Sequence, residues 1–173
     1  MLIPKRLLVL QRLTDLLQTV EFRGQVLDLT GKVTRGRNII GDEVEPDPAA
    51  LHIIEAPRPD FALYAGEDAF MRKDNMMLMI QGRAVDDKLV PGDEAYYLAA
   101  AVEQRLARVT AIKSGGRPAY PEHHMLGDLI TGLEVAPSVV RPPEDKVSKW
   151  AFFFLVLRVG IAVDIGEPYT SVP

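Results

Sequence analysis

The strongest pattern of hydrophobic and polar positions lies over residues 150–163. Every second residue from Ala151 to Val163 is apolar, which is the alternation of a β-strand with one buried face. The opposite face begins with aromatic residues and ends with Arg158, Gly160 and Asp164, so we expect it to be covered at one end and solvated at the other. Because such a strand is unusually long, we expect it to extend beyond its own sheet and to require a second partner.

Two other segments have the spacing of apolar residues that predicts amphipathic helices. The first covers residues 5–20, with Pro4 at its start and Gly24 as the residue that closes it. The second begins at Pro91-Gly92-Asp93, whose aspartate is the expected N-cap, and ends before residues 113–116. Its apolar stripe consists of Leu98, Val102, Leu106 and Val109.

Shorter runs rich in β-branched, aromatic and methionine residues predict the remaining strands. Short strands joined by tight turns fit residues 25–47. Further strands fit residues 51–55, 76–85 and 128–135. Residues 65–74 carry mixed charge, which favours an exposed, mobile loop.

The order of these elements predicts the fold class. A helix, several strands, a second helix and two final strands indicate an α+β fold, a mostly antiparallel sheet with two helices packed on one face. We expect a single domain over residues 1–173, with loops at 114–127 and 136–148 and an extended tail at 166–173.

The composition restricts the possible functions. With no cysteine, the sequence excludes disulfides, cysteine metal sites and a thiol nucleophile. A net charge of -4 argues against a protein that binds nucleic acid through its whole surface. The apolar runs are too short for a signal peptide or a membrane span, so we expect a soluble protein made in the cytoplasm, with no membrane partner.

Few residues point to catalysis or to a metal. Glu122-His123-His124 is the cluster that could hold a metal ion, but it lacks the spacing of a zinc motif. Asp86-Asp87 precedes Lys88 in a predicted turn, where two carboxylates are normally just solvated. We therefore expect no catalytic residues, no cofactor and no metal, and not an enzyme.

Basic and large apolar residues outside the predicted core are candidates for contacts with other subunits. Basic residues gather in two places, near residue 35 and near residues 58–73. The other candidates lie in the long strand and in the loop before the methionine-rich strand. The residues that we predict to form an oligomer or partner interface are Arg35, Arg37, Arg58, Phe70, Met71, Arg72, Lys73, Trp150 and Arg158.

The order of elements resembles the tail terminator, or tail completion, proteins of long-tailed bacteriophages. The resemblance covers most of the chain, and its motifs are patterns of packing and turns rather than catalytic signatures. The stretches that carry it are the first helix, residues 33–37, residues 48–60, Leu78-Met79-Ile80-Gln81-Gly82 before Asp86-Asp87, the helix start at 91–96 and the closing hydrophobic strand. The proline-rich insertion at 136–148 departs from the plainer hairpin of that family.

The resemblance implies a structural role in the virion. Proteins of that family look like α+β subunits of a hexameric ring that caps the finished tail tube and offers a joining surface to the neck. The implied partners are further copies of the chain, the tail tube protein and a neck or head-completion protein, while DNA passes through the lumen without specific binding. The implied location is the head-proximal end of the tail, after assembly in the host cytoplasm.

Two alternatives from other classes remain open. One is another head–tail adaptor, stopper or tail-associated subunit, which would equally lack catalytic motifs. The other is a small hydrolase that uses His123 or His124 with a nearby carboxylate.

Overall fold

The computed structural model describes residues 1–36, 49–55, 71–84, 89–143 and 150–171. Helix α1 spans Lys5–Leu17, α2 spans Asp93–Ala107, and the short α3 spans Met125–Asp128. The strands are β1 Leu2–Pro4, β2 Thr19–Phe22, β3 Gln25–Asp28, β4 Val33–Arg35, β5 Ala49–Glu55, β6 Met71–Ala84, β7 Gly132–Val135, β8 Val139–Arg141, β9 Ala151–Asp164 and β10 Tyr169–Ser171.

A six-stranded sheet forms the centre of the described structure. Its strand order is β4-β5-β6-β9-β7, and β8 also pairs with β9. Strand β4 runs parallel to β5, and the other neighbours are antiparallel. The sheet is therefore mixed but mostly antiparallel, which confirms the predicted α+β class.

Strand β9 confirms the strongest sequence prediction. Its alternate residues from Ala151 to Val163 are all buried, while the opposite face changes from buried Phe152 to exposed Val156. The expectation that β9 outgrows its own sheet is wrong, because β6 has the same length and pairs with it from Met71↔Asp164 to Ala84↔Ala151.

The main core lies between the sheet and the helices. Leu13 and Leu17 of α1, Leu98 and Leu106 of α2 and the apolar face of β9 belong to one cluster of buried side chains, so both helices cover the same face of the sheet. We call this the helix face, and we call the opposite side the far face.

One glycine allows close packing within this core. Gly82 lies opposite Phe153 in the β6–β9 ladder, and a Cβ atom at residue 82 would come within 2.0 Å of the Phe153 ring. Any larger residue at position 82 would therefore displace the ring from the core.

The first helix is shorter than the apolar spacing predicts. Helix α1 ends at Leu17, and β2 and β3 form a hairpin whose turn contains Arg23 and Gly24, both with positive φ. Two consecutive positive φ angles are typical of a tight hairpin turn. Gly24 thus makes this turn and does not close the helix, while Val20 continues the buried stripe from a strand.

Strand β6 begins earlier than the sequence predicts. Residues 71–74, predicted as part of a mobile loop, pair with the end of β9. The remainder of that predicted loop, residues 65–70, lies outside the described residues. At α2 the N-cap is Gly92, with φ of 100°, rather than Asp93, which is the first residue of the helix.

The predicted loops and tail contain short strands. Strand β8 lies within the predicted 136–148 loop, and β10 lies within the predicted tail and pairs with β1. The strand predicted at residues 128–135 is β7, which begins at Gly132. Its start is later than predicted because residues 125–128 form the single turn of α3, in which every φ angle is positive. None of the described helices is both long and apolar enough to span a membrane.

Candidate interaction surfaces and a charged cavity

The far face carries buried polar side chains at one end. His52, Gln81 and Arg83, which we call the polar row, are all buried, and His52 lies opposite Gln81 in the β5–β6 ladder. The Nδ1 atom of His52 lies 2.5 Å from the Thr34 hydroxyl. Its Nε2 atom and both polar atoms of the Gln81 amide are buried and find no hydrogen-bond partner among the residues that the structure describes. Such groups are rare in folded proteins because each costs about 1–3 kcal/mol.

Burial also sets the protonation of the polar row. The pKa of His52 is lowered, first because burial disfavours the charged imidazolium and second because Arg83 is a nearby cation. His52 is therefore neutral at pH 7, which suits its enclosed position.

Trp150, predicted as an interface residue, lies beside the polar row. It is only 8% exposed, and the guanidinium of Arg83 lies 5.5 Å from the centre of its ring. This distance is typical of a cation–π contact. The indole therefore packs within the subunit in the described structure.

Two exposed valines form a small apolar patch on the far face where β7 and β8 meet β9. We call Val139 and Val156 the edge patch, and they are 53% and 41% exposed. Val139 pairs with Phe154, two residues before Val156 on the same face of β9, so the ladder holds the two valines close together. Arg158 borders the patch and forms an ion pair with Glu134.

The β1–β10 ribbon, in which residues 2–4 pair with residues 169–171, forms a second apolar surface. Leu2 is 68% exposed and Tyr169 is 58% exposed, whereas Ile3 between Leu2 and Pro4 is buried. Beyond the ribbon itself, three residues that are close to it in the sequence are also exposed and apolar. We define the ribbon patch as Met1, Leu2, Leu7, Ile165 and Tyr169.

Lys5 fastens the ribbon to the sheet. Its backbone amide donates to the Pro168 carbonyl at 3.0 Å, and its ammonium donates to the Ala162 carbonyl of β9 at 2.9 Å. A lysine bound to an edge carbonyl reduces the tendency of that edge to pair with another strand.

The structure brings some of the predicted interface residues together. Lys73 and Arg158 are exposed and share the far face, because they pair with Ala162 and Met77 in the β6–β9 ladder. Arg35 is exposed on β4, at the other side of the sheet from β9. Met71 and Arg72 lie in β6. The remaining three predicted interface residues lie outside the described ranges; they are Arg37, Arg58 and Phe70.

Exposed aromatic residues also mark the start of α2. Tyr97 meets the Phe22 ring edge-on at 6.5 Å between ring centres, and the guanidinium of Arg23 lies 4.2 Å from the centre of the Tyr97 ring. Arg23 also pairs with Glu94, so the β2–β3 turn is tied to the helix by packing and by charge.

A cavity of about 340 Å³ opens beside α1 and α2, and we call it the charged cavity. It is lined by Arg12, Asp15, Leu16, Arg105, Glu122, His123, Leu126 and Gly127. A smaller cavity of about 190 Å³ lies between α2 and the β2–β3 hairpin, and Arg105 lines both.

The cluster that suggested a metal lies at the charged cavity. The Nε2 atom of His123 is 3.7 Å from a carboxylate oxygen of Glu122. Over the described residues, no group of three or more histidine or acidic side chains is arranged to hold a metal ion. Asp86-Asp87, the other acidic pair named from the sequence, lies outside the described ranges.

Sequence reasoning missed both apolar patches. Strands of three residues are too short to show alternation, so β1, β8 and β10 gave no periodic signal. A weak signal exists in the adjacent Val139-Val140 and in Tyr169-Thr170, since β-branched and aromatic residues favour strands.

Comparisons with known proteins find no matching family model and no similar curated protein. Function is therefore inferred from the surfaces described above and from the order of the sequence elements.

Proposed function

We propose that this chain is a structural subunit of a bacteriophage tail, which forms a ring on the finished tail tube and joins it to the neck. The observation that carries the proposal is the presence of two different apolar patches on one subunit, the edge patch and the ribbon patch. The α+β fold agrees with what the resemblance to tail terminator proteins implies.

Two different patches favour a ring over a twofold dimer. A twofold dimer uses the same patch on both subunits, whereas a ring needs two different patches that meet head to tail. Val156 and Asp164 of β9 are separated by about 26 Å, at roughly 3.3 Å per residue in a strand. Since the ribbon patch follows the end of β9 and the edge patch lies at its middle, the two patches are far enough apart to contact different neighbours.

Charged residues provide register in this proposal. The Arg158–Glu134 pair is exposed on the far face next to the edge patch, Lys73 is exposed farther along the same face, and the chain has a net charge of -4. Exposed charges of both signs at the rim of an interface guide orientation and association rate more than affinity. An acidic balance also suits a lumen through which DNA passes without being held.

In this role the chain is not an enzyme and takes no cofactor. Its partners are other copies of itself, most simply in a hexamer, together with the tail tube protein and a neck protein. It resides in the virion at the head-proximal end of the tail, after assembly in the host cytoplasm.

The Glu122–His123 contact favours the alternative of a small hydrolase. These two side chains share the charged cavity, where an imidazole next to a carboxylate has the arrangement of a general base and its orienting group. Loss of a hydrolytic activity in His123→Ala, with an unchanged melting temperature, would support that alternative against the structural role.

The proposal is tested by placing a charge in each patch. Tyr169→Asp and Val139→Asp alter the ribbon patch and the edge patch, and Val26→Asp is a matched control because Val26 is 78% exposed and belongs to neither. Light scattering of concentrated protein and negative-stain imaging should show rings for the unaltered chain and the control, and none for either patch variant. Virions should carry the ring at the head-proximal end of the tail.

Mixing the two patch variants provides the sharper result. Each retains one intact patch, so the mixture should form pairs that cannot close, whereas each variant alone stays monomeric. Absence of rings from the unaltered chain and from virions would contradict the proposal. A ring of this chain at another position in the virion would assign it to the adaptor class.

A further inference from the structure

The charged cavity has a cationic interior. Arg105 and His123 are partly buried within it, whereas Arg12, Asp15 and Glu122 are exposed at its rim. Exposed charges of both signs are screened by solvent, so Arg12 and the two carboxylates count for less than the inner groups. An anion that enters the cavity therefore meets the guanidinium of Arg105 as the main inner charge.

Arg105 is held in a fixed orientation at this position. Its Nε donates to the Leu16 carbonyl at 2.9 Å, and one terminal nitrogen lies 3.3 Å from the Thr19 hydroxyl. Leu16 lies in the last turn of α1 and Thr19 is the first residue of β2, so the guanidinium is anchored where the helix meets the strand while it lines the cavity. A pre-positioned guanidinium loses little entropy when it binds an anion.

The protonation of His123 depends on its burial and on the charges around it. Its pKa is lowered by burial first and by Arg105 next, while Glu122 raises it and Arg108 lowers it by less than Glu122 raises it. A bound anion would favour the imidazolium, which would then donate to it.

One wall of the cavity has an unusual backbone. Met125, Leu126, Gly127 and Asp128 have consecutive φ angles of 44°, 54°, 76° and 61°. Three of these residues are not glycine, and each such conformation costs roughly 1–2 kcal/mol. Strain of this kind persists where the surroundings fix the chain, and it is frequent at ligand sites.

Hydrogen bonds hold this turn in place. The Met125 amide donates to Val109 at 3.0 Å, and the Gly127 amide donates to His124 at 2.8 Å. Leu126 is buried, and none of the described atoms lies within 4 Å of where a Cβ atom of Gly127 would be, so the wall is held in place and open.

We propose that the charged cavity is a binding site for a tetrahedral oxyanion, the phosphate group of a small molecule, held by Arg12, Arg105 and His123. These donors come from α1, from α2 and from the loop before α3, so they approach from three directions, which suits a tetrahedral group better than a planar carboxylate. The volume of about 340 Å³ leaves room for the rest of a phosphate ester. This site is independent of the proposed ring.

Sulfate is a suitable probe because its charge stays constant between pH 6 and pH 8. Calorimetric titration at constant ionic strength should show saturable binding that is tighter at pH 6, since binding favours protonated His123. The charged groups that face His123 or share its cavity are Arg105, Arg108, Glu122, Arg12 and Asp15.

Single substitutions test the named donors. Arg12→Ala should weaken sulfate binding about twofold to fivefold, as expected for the loss of a solvent-exposed cation. His123→Gln should remove the pH dependence, and Arg117→Ala is the control because Arg117 is exposed and does not line the cavity. The His123 imidazole resonances of the unaltered protein should show a higher pKa in sulfate than in chloride.

Several results would overturn the proposal. These are the absence of saturable sulfate binding, an equal loss in Arg12→Ala and Arg117→Ala, and a pH dependence that survives in His123→Gln. Tighter binding of succinate than of sulfate would overturn the tetrahedral assignment. The melting temperatures of all variants should stay within a few degrees of that of the unaltered protein. The losses would then reflect weaker binding and not unfolding.

Discussion

The two faces of β9 are built from the same strand but meet different surroundings. On the helix face, Phe153, Leu155 and Leu157 are buried among apolar side chains of both helices. On the far face, Phe152 is buried at one end next to Arg83, and Val156 is exposed a few residues later. The helix face therefore contributes most of the apolar burial, while the far face combines buried polar groups with a surface available for contacts.

This difference has an energetic meaning. Burying a large apolar side chain stabilises a fold by roughly 1.5–3 kcal/mol, whereas burying a polar group without a partner costs about 1–3 kcal/mol. The apolar positions of β9 thus stabilise the subunit, and the buried atoms of His52 and Gln81 that find no partner among the described residues reduce that gain. The predictions below compare the two faces directly.

The largest expected effect is on the helix face. Phe153→Ala removes a fully buried ring above Gly82 and should lower the free energy of unfolding by about 3–5 kcal/mol. Val156→Ala on the far face should change it by no more than about 0.5 kcal/mol. Urea denaturation measures both, and similar losses for the two variants would show that the core does not lie on the helix face.

A smaller effect of opposite sign is expected in the polar row. Gln81→Met replaces a buried amide that has no partner in the described part of the chain with an apolar side chain of similar size. It should raise the free energy of unfolding by about 1–2 kcal/mol, because the desolvation cost of the amide disappears. A loss of stability in the same urea experiment would mean that ordered water satisfies the amide.

The smallest effect is the pH dependence contributed by His52. Its pKa is lowered in the fold, so below about pH 6.5 the unfolded chain binds a proton that the native imidazole does not. Stability should therefore fall on acidification, by at most about 1.4 kcal/mol per pH unit for one proton. His123 has a pKa lowered in the same direction, so the experiment uses His123→Gln as its background. A further His52→Asn change should flatten the curve there; an unchanged slope would exclude His52.

The sequence predicted the elements whose apolar residues recur with one regular period over many positions. Strand β9 and helix α2 were found because each has a long apolar face with a single period. The end of α1 was missed because Val20 fits the helical spacing and yet lies in β2, where tertiary pairing outweighs the local pattern. The first residues of β6 were missed because Arg72-Lys73-Asp74 is charged, and pairing with β9 determines its structure.

The candidate surfaces were harder to predict for a related reason. The ribbon patch and the edge patch depend on pairings between segments that are distant in the sequence, such as Leu2 with Ser171. The charged cavity likewise combines Arg12, Arg105 and His123 from three elements. Of these, the sequence singled out only His123, as part of a cluster of neighbouring residues with no sign of the arginines that face it.

The β1–β10 ribbon also bears on how the chain folds during synthesis. Residues 2–4 leave the ribosome early, but their partners at 169–171 follow roughly 10–30 s later, at translation rates of about 5–20 residues per second. Until then Leu2 and Ile3 have no strand to pair with, so this apolar segment is exposed to chaperones throughout translation. The ribbon closes only after β9 has emerged, so its closure is a late event in folding. Complete formation of the ribbon patch is therefore delayed until the subunit core can form.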